Sequence, residues 1–487
     1  MRALFVFAGL LFCFNTLFWQ QGLGINLPIF SLLLVGTIYF IKRPALNTVH
    51  YFLLIGTVLS NLSLIVLHTD MAIATSLITT IALAGSLQYQ NASVLEGLVN
   101  GVYNWFNPKQ GVVPGFEGSP ALKKNKGVLI LRVAAFPLVI FFLYMLLFSA
   151  GNSIFNSLTG DFLEQFGRFF KDWSFPHIMF LVLGALFIRW AMRTKHLKGL
   201  YLSANSQLSR KSQNNRKKVK FHPLVLRWEY LRALVLFGSL NVLFLIVNVI
   251  DVKWVWFQFS VQNGFNLKDF VHEGTGYLIV SILLSIVLVM YFFRGKLNYY
   301  PNNKWLKRLG YAWIVQNMIL SLSVFIRTLH YINFHGLAGR RIGLMIFLSM
   351  VFFGLITLMI KIGEKKNLAY MLRVNSAFIV GALVFSACLP WNYIILNHNL
   401  NHYNISEIDV DNYLNLKPHV YHVVYSHLDV IERQIEAHQK NPVHWISYTN
   451  IEDFKASLDR RKKYFEDTEA SQGIWSWNFA DAVAVYD

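Results

Sequence analysis

Long apolar runs alternate with short polar breaks along most of the chain. Many runs approach the roughly 20 residues that a helix needs to cross a bilayer. The pattern predicts about eleven spans, over residues 3–20, 25–41, 48–67, 70–87, 128–150, 175–193, 231–250, 274–293, 309–331, 341–361 and 372–396. The first four form two tight hairpins. The opening run "MRALFVFAGLLFCFNTLFW" has the basic start of a signal peptide without a small-residue cleavage site, so it reads as the first membrane helix.

Two stretches break the pattern. In residues 153–172, Phe155, Leu158, Phe162, Phe166 and Phe169 recur at helical spacing, with Asp161, Glu164, Arg168 and Lys171 between them. That mixture predicts a helix lying in the membrane interface. "SVLEGLVNGVYNWF", within 91–127, gives a weaker signal of the same kind. The expected organisation is 1–90, N-terminal membrane hairpins; 91–127, a loop with an amphipathic helix; 128–397, the membrane core, including the basic loop 194–230; and 398–487, a small helical domain. In that last part "HVVYSHLDVIERQIEAHQKN" places Val424, Leu428, Ile431 and Ile435 on one helix face. The fold class is all-α, a polytopic membrane protein with an appended helical domain.

Composition agrees. The 487 residues are 55% hydrophobic and only 14% charged, with mean hydropathy +0.43, which excludes an ordinary soluble domain. The net charge of +19 raises nucleic acid as a partner. Its distribution argues against that. Lys and Arg occupy alternate loops, as membrane topology requires, and "RKSQNNRKKVK" reads as a topogenic loop rather than a nucleic-acid or anionic-lipid site. By the positive-inside rule the N-terminus is cytoplasmic, and an odd number of spans puts the C-terminus outside. Residues 398–487 carry 14 Asp and Glu against 8 Lys and Arg, so an acidic domain follows a strongly basic membrane part. Cys13 and Cys388 lie in apolar runs and make no metal motif.

The candidate chemistry gathers in "SVFIRTLHYINFHGLAGRRIGLMIF". Arg327, His330 and Tyr331 share a helix face at i, i+3, i+4, and His335, Arg340 and Arg341 follow. One reading is a basic pocket for a carboxylate or phosphate group, either an anionic lipid or the acidic domain itself. The other is a helix end with snorkelling arginines, with Arg327 paired to Glu273 at the start of the preceding span. His272 and Glu273 open "VHEGTGYLIV", where Glu273 suits the first turn of a helix or acts as an acid or base. The pairs His398/His402 and His419/His422 have i,i+4 and i,i+3 spacing, a weak pattern for a divalent metal on the outer side; no other cofactor is expected. No span holds an isolated Asp or Glu, and the chain has neither a phosphate-binding Gly-rich loop nor a GxSxG elbow.

The strings "FVHEGTGYLIVSILLSIVLVMYFFRGKLNYY", "NKWLKRLGYAWIVQN", "IRTLHYINFHGLAGRRIGL" and "GIWSWNFADAVAVYD" resemble a family of bacterial polytopic membrane proteins catalogued as domain of unknown function 4173, close to 4153. The resemblance is strongest from about residue 225 onward. It implies a bacterial cytoplasmic (inner) membrane location and assigns no role to any residue. The leading expectation is a sensor, scaffold or accessory subunit with an outward basic and histidine-rich site for a ligand or a membrane-protein partner. A membrane-embedded enzyme acting on a lipid-linked or envelope substrate, using Glu273 with His272 or His330, comes second. A small-solute carrier comes third.

Overall fold

A computed structural model describes residues 2–88, 93–105, 175–191, 223–258, 267–293, 297, 303–402, 408–440 and 450–486. The expected span 128–150, the interfacial stretch 153–172 and most of the basic loop 194–230 lie outside these residues. The described residues are helical, without a strand.

The helices in chain order are α1 Arg2–Phe18, α2 Asn26–Lys42, α3 Thr48–Leu67, α4 Asp70–Ser86, α5 Val94–Trp105, α6 Phe175–Ala191, α7 Pro223–Asp251, α8 Leu267–Phe292, α9 Lys304–His335, α10 Gly339–Gly363, α11 Leu368–Ala387 and α12 Trp391–Leu400. Then come the short α13 Asp411–Leu414 and α14 Tyr421–Ser426, followed by α15 Leu428–Lys440, α16 Ile451–Ala470 and α17 Phe479–Tyr486. Five are long and apolar enough to cross a membrane: Thr48–Leu67, Arg227–Phe257, Lys304–His335, Gly339–Gly363 and Leu368–Ala387. Five shorter apolar helices, within α1, α2, α4, α6 and α8, accompany them.

Two boundaries differ from the sequence-based expectation. The span placed at 231–250 begins at Pro223 and passes through Asp251 into a π-helical segment, Val252–Phe257. The run placed at 372–396 is two helices, because Pro390 lacks the N–H that would continue the ladder.

The bundle has two apolar centres. Leu34, Leu53, Leu83, Val94 and Ile188 join α2 through α6, with Val380 and Val384 of α11 closing the group. Phe237, Ile282, Trp313, Ile314, Leu355 and Met371 join α7 through α11. Hydroxyl pairs stitch the first group, with Ser31 to Thr80 and Ser60 to Thr79 both 3.0 Å apart. α4 and α5 meet at Gly85 and Gly97, where a Cβ on Gly85 would strike the Gly97 carbonyl.

A third core lies at one end of the bundle. Tyr413, Val420, Val424, Ile431, Ile435, Phe454 and Leu458 of the C-terminal domain pack together with Ile395 and Leu396 of α12 and Ile342 of α10. The domain is therefore seated on the membrane helices. At the opposite end Arg373 meets the buried Glu96 at 3.7 Å.

Candidate functional site

The segment from Arg327 to Arg341 carries three arginines and two histidines in fifteen residues. The structure sends these side chains in different directions instead of into one pocket. Arg327 is buried, and its guanidinium lies 2.5 Å from Asp251 Oδ1. Ser323 donates to the other carboxylate oxygen at 2.8 Å, and Trp256 donates to Ser323 at 3.3 Å. His330 Nε2 lies 2.9 Å from the carbonyl oxygen of Val255 in the π-helical segment. The seam thus holds a buried acid, paired with Arg327 rather than isolated. Asp251 is one residue beyond the predicted span end, and the helix carries it into the packed seam.

Tyr331, His335 and Arg341 face the other way. The Tyr331 and His335 rings meet edge-on at 4.6 Å, and the Arg341 guanidinium lies 4.4 Å from the Tyr331 ring centroid. Arg341 also donates to the carbonyls of His335 and Gly336. Asp409 of the C-terminal domain lies close enough to interact with Arg341. Burial and the nearby Asp411 hold the Asp409 carboxyl above the usual carboxylate range, against the pull of Arg341. Arg340 is exposed. His272 and Glu273 lie in the first turns of α8, and their side chains are outside the described residues.

The C-terminal domain grips the α9–α10 turn through amides. Asn399 Oδ1 accepts from the Leu337 N–H at 2.6 Å, and Asn399 Nδ2 donates to the Leu337 carbonyl at 2.9 Å. Gln434 donates to the Asn399 carbonyl at 3.1 Å and accepts from the Tyr413 hydroxyl at 3.0 Å. Gly336 has φ +75°, a conformation that favours glycine, and a Cβ there would strike Asn399. His402 Nε2 lies 2.7 Å from the Asn333 carbonyl.

A second grip is ionic. Asp481 of α17 lies 2.5 Å from His68 Nδ1 in the α3–α4 turn, while His68 Nε2 lies 2.8 Å from the Leu23 carbonyl. Both ring nitrogens thus face oxygen atoms. Burial opposes the Asp481 charge, but hydrogen bonds from His68 and Asn478 hold its carboxyl below the usual range. Lys417 pairs with Asp70 at 2.7 Å. The Ile25 N–H donates to the Trp477 carbonyl at 2.9 Å, and Gly24 lies against Ser476, with no room there for a Cβ.

Between the two grips is a cavity of about 260 Å³. Its walls come from residues 69–71, from 338–339 and 342–343, from Ser386 with Trp391 and Asn392, and from Asn412, Asn415 and Lys417. It is close to the lower end of the roughly 300–1,000 Å³ of small-molecule pockets. The sequence pointed to the charges beside this cavity but not to its amides, because asparagines from separate segments leave no spacing pattern.

The histidine pairs have other neighbours. The His398 and His402 rings are 5.6 Å apart. His419 and His422 lie beside the Tyr393 ring, at 5.8 and 6.3 Å. His419 is buried, which pushes its pKa down to about 4. Among the described residues no three His, Cys, Asp or Glu side chains come together as a metal ion would require.

Comparison with curated proteins and with solved structures gives no match. A family model does match, over residues 29–426, and it is Domain of unknown function (DUF4153) rather than the neighbouring 4173. With its long apolar helices and a match across most of its length, the chain is a multi-pass helical membrane protein that belongs to the DUF4153 family.

Proposed function

We propose that this protein is a non-enzymatic sensor or accessory subunit of a bacterial cytoplasmic membrane, and that its C-terminal domain closes an outward-facing ligand cavity. The observation that carries this reading is the cavity between the domain and the helix ends, with walls from both. A ligand held there touches both parts, so binding changes how firmly the domain is seated. Arg341, His335 and Tyr331 serve the seat of the domain, and the neighbouring amides of Asn392, Asn412 and Asn415 face the ligand. Gly343 lines the cavity with open space at its Cβ position, so Gly343→Trp fills it. Wild-type protein purified from native membrane should retain a small molecule, detected by mass spectrometry, that the Gly343→Trp protein has lost. An identical set of retained molecules in both contradicts the reading.

One observation favours a small-solute carrier as a second reading. Polar groups recur along the α7–α9 seam: Asn241 accepts from Gln316 at 2.9 Å, Asn248 donates to the Gln316 carbonyl at 3.1 Å, and Asp251 pairs with Arg327. Among the described residues, Asn248 Oδ1, Asn317 Oδ1 and the Trp313 indole N–H are buried without a hydrogen-bond partner. Such atoms are costly within a bilayer unless water or a solute meets them. Asn248→Cys should then react with a membrane-impermeant thiol reagent in intact cells, and a silent thiol would exclude a wet seam.

A further inference from the structure

The C-terminal domain is acidic as a whole, yet one face of α16 is not. Ser457, Arg461, Tyr464 and Thr468 recur at helical spacing and, with Arg460, line a groove of about 510 Å³ against Tyr421. No carboxylate lines the groove. The nearby acids are turned elsewhere: Asp459 accepts from the Tyr425 hydroxyl at 2.5 Å, and Glu466 pairs with Lys462 at 4.0 Å.

The two arginines are held in place. Arg461 donates to the Leu414 carbonyl at 2.5 Å, and Arg460 donates to Ser457 Oγ at 2.9 Å. A guanidinium fixed by one edge presents its remaining N–H groups in a set plane, which suits a carboxylate. Beside them the Tyr464 ring is 76% exposed, a large flat surface left open to water. Tyrosine and arginine side by side are the residue types that carry binding energy at interfaces. From Ser457 to Thr468 the helix advances about 16 Å, enough for several linked units rather than one ion.

We propose that this groove binds an anionic polysaccharide, with Arg460 and Arg461 on its carboxylates, Tyr464 against a sugar ring, and the Ser457 and Thr468 hydroxyls on sugar hydroxyls. The site lies apart from the cavity between domain and bundle and does not depend on what that cavity holds.

Local footprinting on the full-length protein in nanodiscs tests it. The probe is polygalacturonate, with neutral dextran and inorganic polyphosphate as comparisons. The readout is the phenylglyoxal reactivity of individual arginines by peptide mass spectrometry. Saturating polygalacturonate should slow modification of Arg460 by about tenfold, as expected when a charge-assisted contact covers it. Exposed Arg340, outside the groove, should change little, and dextran should protect neither. Polyphosphate should protect Arg460 less than polygalacturonate does, and Tyr464→Ser should remove most of the polygalacturonate effect. The proposal fails if Arg460 is unprotected, if Arg340 is protected equally, if polyphosphate does as well, or if Tyr464→Ser changes nothing.

Discussion

The C-terminal domain meets the bundle at two places that are built from different chemistry. At the α9–α10 turn the contact is mainly apolar packing and amide hydrogen bonds, with Arg341 and Asp409 beside them. Ile342 joins the domain core, and an unbroken chain of hydrogen bonds runs from Leu337 through Asn399 and Gln434 to Tyr413. At the α1–α2 and α3–α4 turns the contact is ionic, made by His68 with Asp481 and by Asp70 with Lys417. The first rests mostly on packing and neutral hydrogen bonds. The second responds to pH and salt. The cavity lies between them, and on the function proposed above the first contact is the hinge and the second the latch.

The largest way to break this contrast is through the hinge. Tyr413 is fully buried. Tyr413→Ala should destabilise the domain by about 3–5 kcal/mol, from the lost ring and the cavity left behind, in thermal or denaturant unfolding. Asn399→Leu is smaller. It strands the N–H and C=O of Leu337 and should cost about 2–4 kcal/mol. A loss below about 1 kcal/mol in either variant would mean that the hinge is not where the domain is held.

Acid should act mainly on the latch. Asp481 has a lowered folded pKa, so its contribution is present above the ordinary carboxylate range and is lost as pH falls through the folded value. His419 is buried neutral beside α17, with its pKa lowered from 6.5 to about 4, so its protonation also opposes the docked state as pH falls across that window. Hydrogen exchange in 474–486, corrected for the intrinsic rate, should quicken as pH falls from 7 to about 4, through His419 first and Asp481 last, while exchange in 428–435 does not. Matched changes in both regions would erase the distinction. The smallest effect belongs to Lys417→Met. Asp70 is 86% exposed, so this pair should contribute less than about 1 kcal/mol, an amount that vanishes in high salt.

The all-helical membrane character of the scaffold was legible in the sequence because a bilayer enforces long apolar runs. The break at Pro390 was equally open to reading, since proline cannot continue a helix, yet a continuous apolar run hid it. The site was legible only in part. The basic segment lies at the end of the bundle where the acidic domain packs, with Asp409 near Arg341. The partner of Arg327 was not readable, because Asp251 is 76 residues away and one residue beyond an expected span end. Nor was the hinge, since an asparagine that pairs with a backbone N–H and C=O has no sequence signature. The α16 groove did have one. Ser457, Arg461, Tyr464 and Thr468 stand at helical spacing inside a charge run that reads as an ordinary solvated face.

The central claim is that the domain closes the cavity through a latch separable from its hinge. The most direct measurement places a disulfide across the latch. Gly22 lies against the Gln472 side chain, so Gly22→Cys with Gln472→Cys brings two thiols together when the domain is docked. Cys13 and Cys388 are replaced by alanine. Disulfide formation is timed at neutral pH, alone and with Asp481→Asn, beside thermal unfolding of the domain. The account predicts rapid cross-linking that slows by about tenfold with Asp481→Asn, the loss of a hydrogen bond to a charged group, while the unfolding midpoint of the domain stays in place. Equal rates in the two backgrounds, or a domain that unfolds together with the latch, would contradict it.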